Sequence, residues 1–348
     1  MAEITLLAGS YNLPPFGQGK GINILRYDEA SGAMELSGIC EDTVNPSYLA
    51  RAGDLVLAAQ EILEKGGIAS YKVANGTLTR IQTADLPGGL MCHLTPWPGG
   101  KFLSAANYWT GSLAVCPVGE AGVGGLASLL QYEGRGADPK RQEGPHTHSS
   151  CVDPSGKWLV VAELGLDRIL SYRLDAEVGT LSPAVPAFLQ APAGCGPRHF
   201  AFHPDGRTLY VSAELSSSVL VCGFDHETGA VTLRQELPAV PAGFGGNNLT
   251  ADIHCTADGR FVYVSNRGHD SIASFRVGAD GDLRAAGCFF SFGKGPRSFR
   301  LMGHSVMLIA NQGSGTLVSC RLNGEGGCDG KLAELQIPSV VCTLPMRD

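Results

Sequence analysis

One hairpin layout recurs along the chain, and its recurrence limits what the chain can fold into. The clearest copy is Gly196–Leu215, GPRHFAFHPDGRTLYVSAEL. Phe200 and Phe202, then Thr208–Ser212, show the aromatic and β-branched alternation of half-buried strands. Pro204-Asp205-Gly206 between them is a turn signal, with glycine free to take the positive φ that a reversal needs. Related copies are Pro145–Leu164 (PHTHSSCVDPSGKWLVVAEL), Ala251–Gly268, Met91–Tyr108 and Gly295–Gln312, with a weaker one at Asn45–Glu61. Counting the polar residue that closes the second strand gives Glu61, Asn107, Glu163, Glu214, Asn266 and Asn311, in steps of 46, 56, 51, 52 and 45 residues. That spacing is one four-stranded propeller blade. Six units are visible. Ile4–Ala8 and Val340–Leu344 read as strands that complete a seventh from the two termini, which would remove the exposed sheet edges of an open array. The sequence therefore predicts an all-β fold, a seven-bladed β-propeller of four-stranded antiparallel blades closed by the N- and C-terminal strands. Residues 1–348 are expected to form one domain.

Composition fits many short strands and tight turns: 44% of residues are apolar and 47 are glycine. No long amphipathic helix is expected, although Ala121–Leu130 reads as a short helical turn in a loop. No run approaches the roughly 18 apolar residues of a membrane span, and MAEITLLAGSYN lacks the layout of a signal peptide. Eleven cysteines, several inside apolar strand patterns (Cys151, Cys222, Cys320), read as free thiols in a reducing cytoplasm. A net charge of −7 without a basic stripe argues against nucleic acid, yet a local arginine cluster can still bind an anionic small molecule. Neither a G-x-S-x-G elbow nor a phosphate-binding loop is present, and Gly17–Gly21 reads as a surface turn. The irregular Gly119–Gly144 segment reads as a long surface loop, a kind of loop that often covers a site.

The residues with chemistry fall at strand ends. His148 lies eight residues before Gly156 and Arg198 eight before Gly206, so both should face the central axis from successive blades. Arg297 is the expected equivalent in a later blade, and His93 lies near that place in an earlier one. Glu163, Glu214, Asn266 with Arg267, and Asn311 are expected at the same mouth, forming one funnel. Pro145–His148 could be a metal pair, a catalytic pair or turn residues, but no further ligands at a recognised spacing accompany it, so no metal is expected. Glu61 and Glu163 read as structural. Glu214, on one hairpin with Arg198 and His199, reads as functional. Trp97, Trp109 and Trp158 read as packing residues, and His203, His226 and His304 as structural.

GPRHFAFHPDGRTLYVSAEL, DGRFVYVSNRGHDSIASF, PHTHSSCVDPSGKWLVVAELGLDRI, NPSYLA and the terminal PSVVC together resemble the cytosolic β-propeller lactonase family. That family includes bacterial 6-phosphogluconolactonases and fungal 3-carboxy-cis,cis-muconate lactonizing enzymes. The resemblance runs from Gly9-Ser10-Tyr11 to Cys342, with departures at scaffold positions such as MCHL and ELGLDR. It implies a funnel that handles anionic lactones or their ring-opened acids without metal or organic cofactor. It also implies that His148, Arg198, Glu214 and Arg267 form the catalytic group. On this reading His148 activates water, Arg198 and Arg267 hold the oxyanion and the substrate's anionic group, and Glu214 orients a neighbour or passes a proton to the leaving alkoxide. His93, His146 and Arg297 would complete the substrate-binding rim. The leading substrate is 6-phosphogluconolactone. The alternatives are carboxymuconate lactonization and a non-catalytic binding scaffold, which the dense ionisable rim disfavours. Homo-oligomerisation is left open.

Overall fold

A computed structural model describes residues 3–74, 76–303 and 305–346. His304, expected to be structural, lies outside the described residues. The strands form seven antiparallel sheets around a central channel. Blade 1 is assembled from both ends of the chain: its inner strand is Val340–Met346, followed outward by Glu3–Ser10, Ile22–Asp28 and Met34–Cys40. The remaining blades follow in chain order, and their inner strands are Pro46–Ala52, Met91–Pro96, Thr147–Val152, Pro197–Phe202, Leu249–Cys255 and Pro296–Met302. Each inner strand packs against the next, and the last packs against that of blade 1. The ring closes as the sequence predicts.

Each second strand alternates small and branched apolar side chains, and both of its faces are buried. Leu209–Ala213 and Met307–Ala310 show almost no exposure. Seven apolar clusters result, one between each pair of neighbouring blades. Leu57, Met91 and Leu103 join blades 2 and 3, for example, and Leu6, Leu25 and Leu308 join blades 1 and 7. Second strands buried on both faces exclude water from between the blades and leave polar chemistry to the channel and its two mouths.

The hairpin turns behave as their residues dictate. Gly206 has φ +68°, and Asp205 Oδ1 accepts from the Arg207 and Thr208 amides at 2.7 and 3.2 Å. The 121–130 segment is not helical. Gly122–Val123 and Ser128–Gln131 are strands that both pair with Ser112–Gly119, which gives blade 3 a split outer strand. Three glycines disfavour a helix there, and buried Val123 is held by blade 2, its amide donating to Ser70 Oγ at 3.1 Å and its carbonyl accepting from Gln82 Nε2 at 2.6 Å.

Candidate functional site

Every innermost hairpin except blade 6 shares one irregularity at the channel. Pairing runs Pro46↔Gln60 then Tyr48↔Ala59, Met91↔Asn107 then His93↔Ala106, Thr147↔Glu163 then Ser149↔Ala162, Pro197↔Ala213 then His199↔Ser212, and Pro296↔Asn311 then Ser298↔Ala310. One residue is skipped each time: Ser47, Cys92, His148, Arg198 and Arg297. Val341 is skipped in the same way in blade 1, and in blade 6 the break spans Ala251 and Asp252. A β-bulge turns its extra side chain out of the regular alternation, and here that side chain turns into the channel. Ser47, Cys92, His148, Arg198, Arg297 and Val341 accordingly wall one narrow cavity of about 20 Å³. His148, Arg198 and Arg297 stand at equivalent bulges, as their spacing predicts. Cys92, not His93, holds that position in blade 3.

One tier outward, the second strands end in two distinct positions that the sequence spacing had merged. Asn107, Glu163, Asn266 and Asn311 are fully buried and point back into the scaffold. Asn266 Nδ2 donates to Ala239 O at 2.7 Å and Asn311 Nδ2 to Ser291 O at 3.0 Å, tying each blade to the residue that follows the outer strand of the one before. Glu163 accepts from the amides of His146 and Gly165 and from Thr147 Oγ1. These residues do not face the funnel. The following residue does: Tyr11, Glu61, Tyr108 and Glu214 donate their amides to Ser339, Asn45, Leu90 and Gly196 carbonyls in the same way, and Arg267 takes the matching place in blade 6. Glu61, Tyr108, Glu214 and Arg267, with Phe16, Arg141, His148 and Arg297, line an open cavity of about 240 Å³ above the bulge ring.

Glu214 is the hub. Its Oε2 accepts from Arg198 Nε at 2.9 Å and Arg267 Nη2 at 2.7 Å, and its Oε1 from Arg141 Nη2 at 2.6 Å. Burial alone would raise its pKa, but Arg267, Arg198 and Arg141 outweigh it and hold the carboxyl far below the usual range. Glu214 is therefore held as a carboxylate among three guanidinium groups, an arrangement suited to positioning them. Arg141 comes from the irregular segment before blade 4. Asp138 Oδ1 accepts the Lys140 and Arg141 amides at 2.8 and 3.2 Å, and the fully buried Gln142 anchors the segment to Leu164 O and Asp167 Oδ1 at 2.8 and 2.7 Å.

Burial lowers the pKa of His148 well below that of a free imidazole, and Arg198, His199, Arg297 and Arg267 add to the effect, so the ring is neutral. Burial disfavours the Arg297 cation, but the oxygens of Tyr11, Glu61 and Glu214 outweigh it and raise its pKa. Arg297 also lies over the Tyr11 ring at 5.5 Å, and Tyr11 donates to Glu61 at 2.6 Å. Burial lowers Arg267 to about 10, against the pull of Glu214, which leaves it charged at neutral pH. Arg198 Nη1 and Arg267 Nε are buried without a hydrogen-bond partner among the described residues. Formally, four guanidinium groups face two carboxylates across the bulge ring and the cavity above it, an excess of two positive charges in a chain of net charge −7.

The remaining expected residues part company. His146 stacks on Tyr108 with ring centroids 4.6 Å apart and its Nδ1 3.0 Å from Tyr108 O, so it backs the funnel wall without lining it. His93 lies below the bulge ring and faces the opposite mouth with Tyr48 and His199, so it does not join the arginine rim. Trp97 and Trp158 are buried, but Trp109 is exposed rather than packed. Arg141, Tyr11, Tyr108 and the funnel-facing orientation of Glu61 were not foreseen. Only the loop's length and position hinted at Arg141. No group of three or more histidine, cysteine or acidic residues among those described could hold a metal ion.

A family model described as "Lactonase, 7-bladed beta-propeller" matches residues 5–345. The 6-phosphogluconolactonase of Bacillus subtilis is 33% identical over 318 residues, covering 89% of this chain and 90% of that protein. Among solved structures, a periplasmic gluconolactonase of Pseudomonas aeruginosa superposes with a TM-score of 0.90 at 30% identity over 99% of both chains. A protein from Lactobacillus plantarum superposes with a TM-score of 0.91 at 28% identity, over 99% of this chain and 100% of the other.

Proposed function

Because the chain belongs to the seven-bladed β-propeller lactonase family, and is a lactonase, we propose that it hydrolyses 6-phosphoglucono-δ-lactone to 6-phosphogluconate. The observation that carries this substrate is the excess of two positive charges around a neutral imidazole, in a funnel that also holds unpartnered guanidinium donors. A phosphate dianion matches that excess, and bidentate guanidinium groups suit its geometry. The lactone ring sits deepest, against the bulge tier. Neutral His148 takes a proton from water as the water oxygen attacks the carbonyl carbon. Arg198 and Arg297, at bulges equivalent to that of His148, hold the oxygen on which negative charge develops, in a setting where burial strengthens each bond. Arg267 and Arg141, nearer the mouth, receive the phosphate, and Glu214 keeps Arg141, Arg198 and Arg267 in register. His148 returns its proton to the ring oxygen as the carbon–oxygen bond breaks.

A reducing, cytoplasmic setting agrees with eleven cysteines that are all free. No helix among the described residues is long and apolar enough to cross a membrane. The test is hydrolysis of freshly generated 6-phosphoglucono-δ-lactone, corrected for spontaneous opening, with EDTA present and with glucono-δ-lactone assayed in parallel. Preference for the phosphorylated lactone is expected. Equal rates would remove the phosphate from the reading, and turnover of a carboxymuconate with neither lactone hydrolysed would overturn it.

A further inference from the structure

The central channel has a second mouth, on the far side of the bulge ring. A cavity of about 310 Å³ opens there, lined by His93, His199, Asp252, His254, Tyr48 and Arg300 among others. His199 Nδ1 is 3.0 Å from Asp252 Oδ1, and His254 Nε2 is 3.3 Å from Asp252 Oδ2. Asp252 is 8% exposed and also accepts the Phe299 amide at 3.2 Å. A carboxylate on Nδ1 fixes the tautomer of His199, with Nδ1–H donating and Nε2 left to accept. The His199 ring meets that of His148 edge to face, with centroids 5.3 Å apart at 70°. The bulge-ring cavity of about 20 Å³ touches His148, Arg198 and His199, and that volume holds one water molecule.

The reaction creates a need for such a connection. This step rests on the lactonase reading. At neutral pH, lactone and water become a carboxylate, a hydroxyl group and one proton. The water oxygen bonds to the carbonyl carbon and the ring carbon–oxygen bond breaks. One water proton ends on the leaving oxygen, and the other must leave the site. The funnel is a poor exit, since Arg141 and Arg267 hold positive charge towards its mouth and bound substrate fills the opening. The far mouth instead presents a buried carboxylate flanked by two imidazoles.

We propose that His199, oriented by Asp252, is a positioning residue for His148 and carries the proton released in each turnover from His148 to the far mouth of the channel. After returning the first proton to the ring oxygen, His148 takes the second from the newly formed carboxylic acid, whose O–H bond breaks to leave the carboxylate. The N–H of His148 then breaks in turn, and a water in the bulge-ring cavity passes that proton to His199 Nε2. Asp252 stabilises the resulting imidazolium, which discharges to solvent in the far cavity. Charged and titratable groups facing His199 are Arg198 on its own strand, Asp252 and His254 from blade 6, His93 from blade 3 and His148 from blade 4.

The experiment compares His199→Gln, Asp252→Asn and their double variant with the parent protein on the parent's lactone substrate. A loss in kcat of about 10²-fold with KM nearly unchanged is expected for each single variant. The double variant should be no worse than His199→Gln alone, because the two residues act as one unit. His199→Ala should regain activity with millimolar imidazole, which the far cavity has room to admit, and a merely structural role would not respond in this way. Asp252 also anchors blade 7 through Phe299, so if Asp252→Asn fails to fold, His199→Gln and the imidazole rescue decide. Variants that melt like the parent and keep kcat within about twofold, or a loss confined to KM, would overturn the relay. A parent protein that hydrolyses no lactone would instead overturn the lactonase reading beneath it.

Discussion

Arg198 Nε donates to Glu214 Oε2 at 2.9 Å, and Arg267 Nη2 donates to the same oxygen at 2.7 Å, so one buried carboxylate spaces two guanidinium groups from neighbouring blades. With Arg141 on Oε1, three cations depend on one anion. Glu214→Gln keeps the shape and removes the charge, leaving the guanidinium groups to repel one another. Removing one partner of a buried pair costs about 3–5 kcal/mol, and the destabilisation should appear as a lower Tm. The kcat/KM should fall at least about 10²-fold, because misplaced arginines no longer meet the oxyanion. Wild-type kinetics in this variant would show that the cluster is scaffold only.

His148→Ala tests the base. The imidazole is neutral, buried and placed by its bulge beside Arg198 and Arg297. Loss of a general base lowers kcat by about 10²–10⁴-fold, and KM should change little because the arginines remain. Steady-state kinetics at several pH values checks this, and near-parental kcat would remove His148 from the mechanism.

Hairpin recurrence made the ring of seven blades legible, and the eight-residue spacing to the turn glycine placed His148 and Arg198 correctly. The strand-end position was legible only by half. Polarity alone cannot separate Asn266, whose amide ties two blades, from Arg267 beside it, which faces the funnel; hairpin register decides. The same one-residue ambiguity put His93 in the rim in place of Cys92. The bulges that set this register have no local signature beyond a Pro in some copies, as at Pro46, Pro197 and Pro296. Arg141 belongs to no repeat, and its place depends on the Asp138 and Gln142 bonds of an irregular loop. Loop geometry of that kind is set by tertiary contacts that no periodicity records.

Arg141 is the most exposed of the four arginines and comes from a loop, so it is the natural discriminator between phosphorylated and unphosphorylated lactones. Arg141→Met halves the excess charge of the funnel and removes the guanidinium's bonds to Glu214 Oε1 and Tyr108 Oη. KM for 6-phosphoglucono-δ-lactone should rise about 10-fold or more, as expected when a charge-assisted bond worth about 1.5–3 kcal/mol is lost. Kinetics on glucono-δ-lactone should stay near those of the parent. An equal rise for both lactones would place Arg141 in the scaffold.

Acid should weaken the fold before it reaches the usual carboxylate range. Burial and neighbouring charge lower the pKa values of His93, His148 and His199, the last to about 4, so all three are neutral in the folded protein at pH 6. In the unfolded chain they bind protons near pH 6.5. Between those limits the unfolded state holds more protons, so stability rises with pH there and falls as pH drops below about 6.5. Each histidine contributes about 1.4 kcal/mol per pH unit at most. Glu214 and Asp252, whose folded pKa values are depressed, add their loss only below about pH 4. Burial raises the Glu163 carboxyl to about 7, so in the folded protein it holds a proton and opposes this trend by one group. Thermal melts from pH 8 to 5 should show a Tm that declines below about pH 6.5 with the net slope of about two groups. His93→Phe, outside the funnel, should make that slope shallower, since it removes one of three buried neutral imidazoles. A Tm independent of pH down to 5 would mean that these rings carry protons in the folded protein, and with them would go the neutral base assigned to His148.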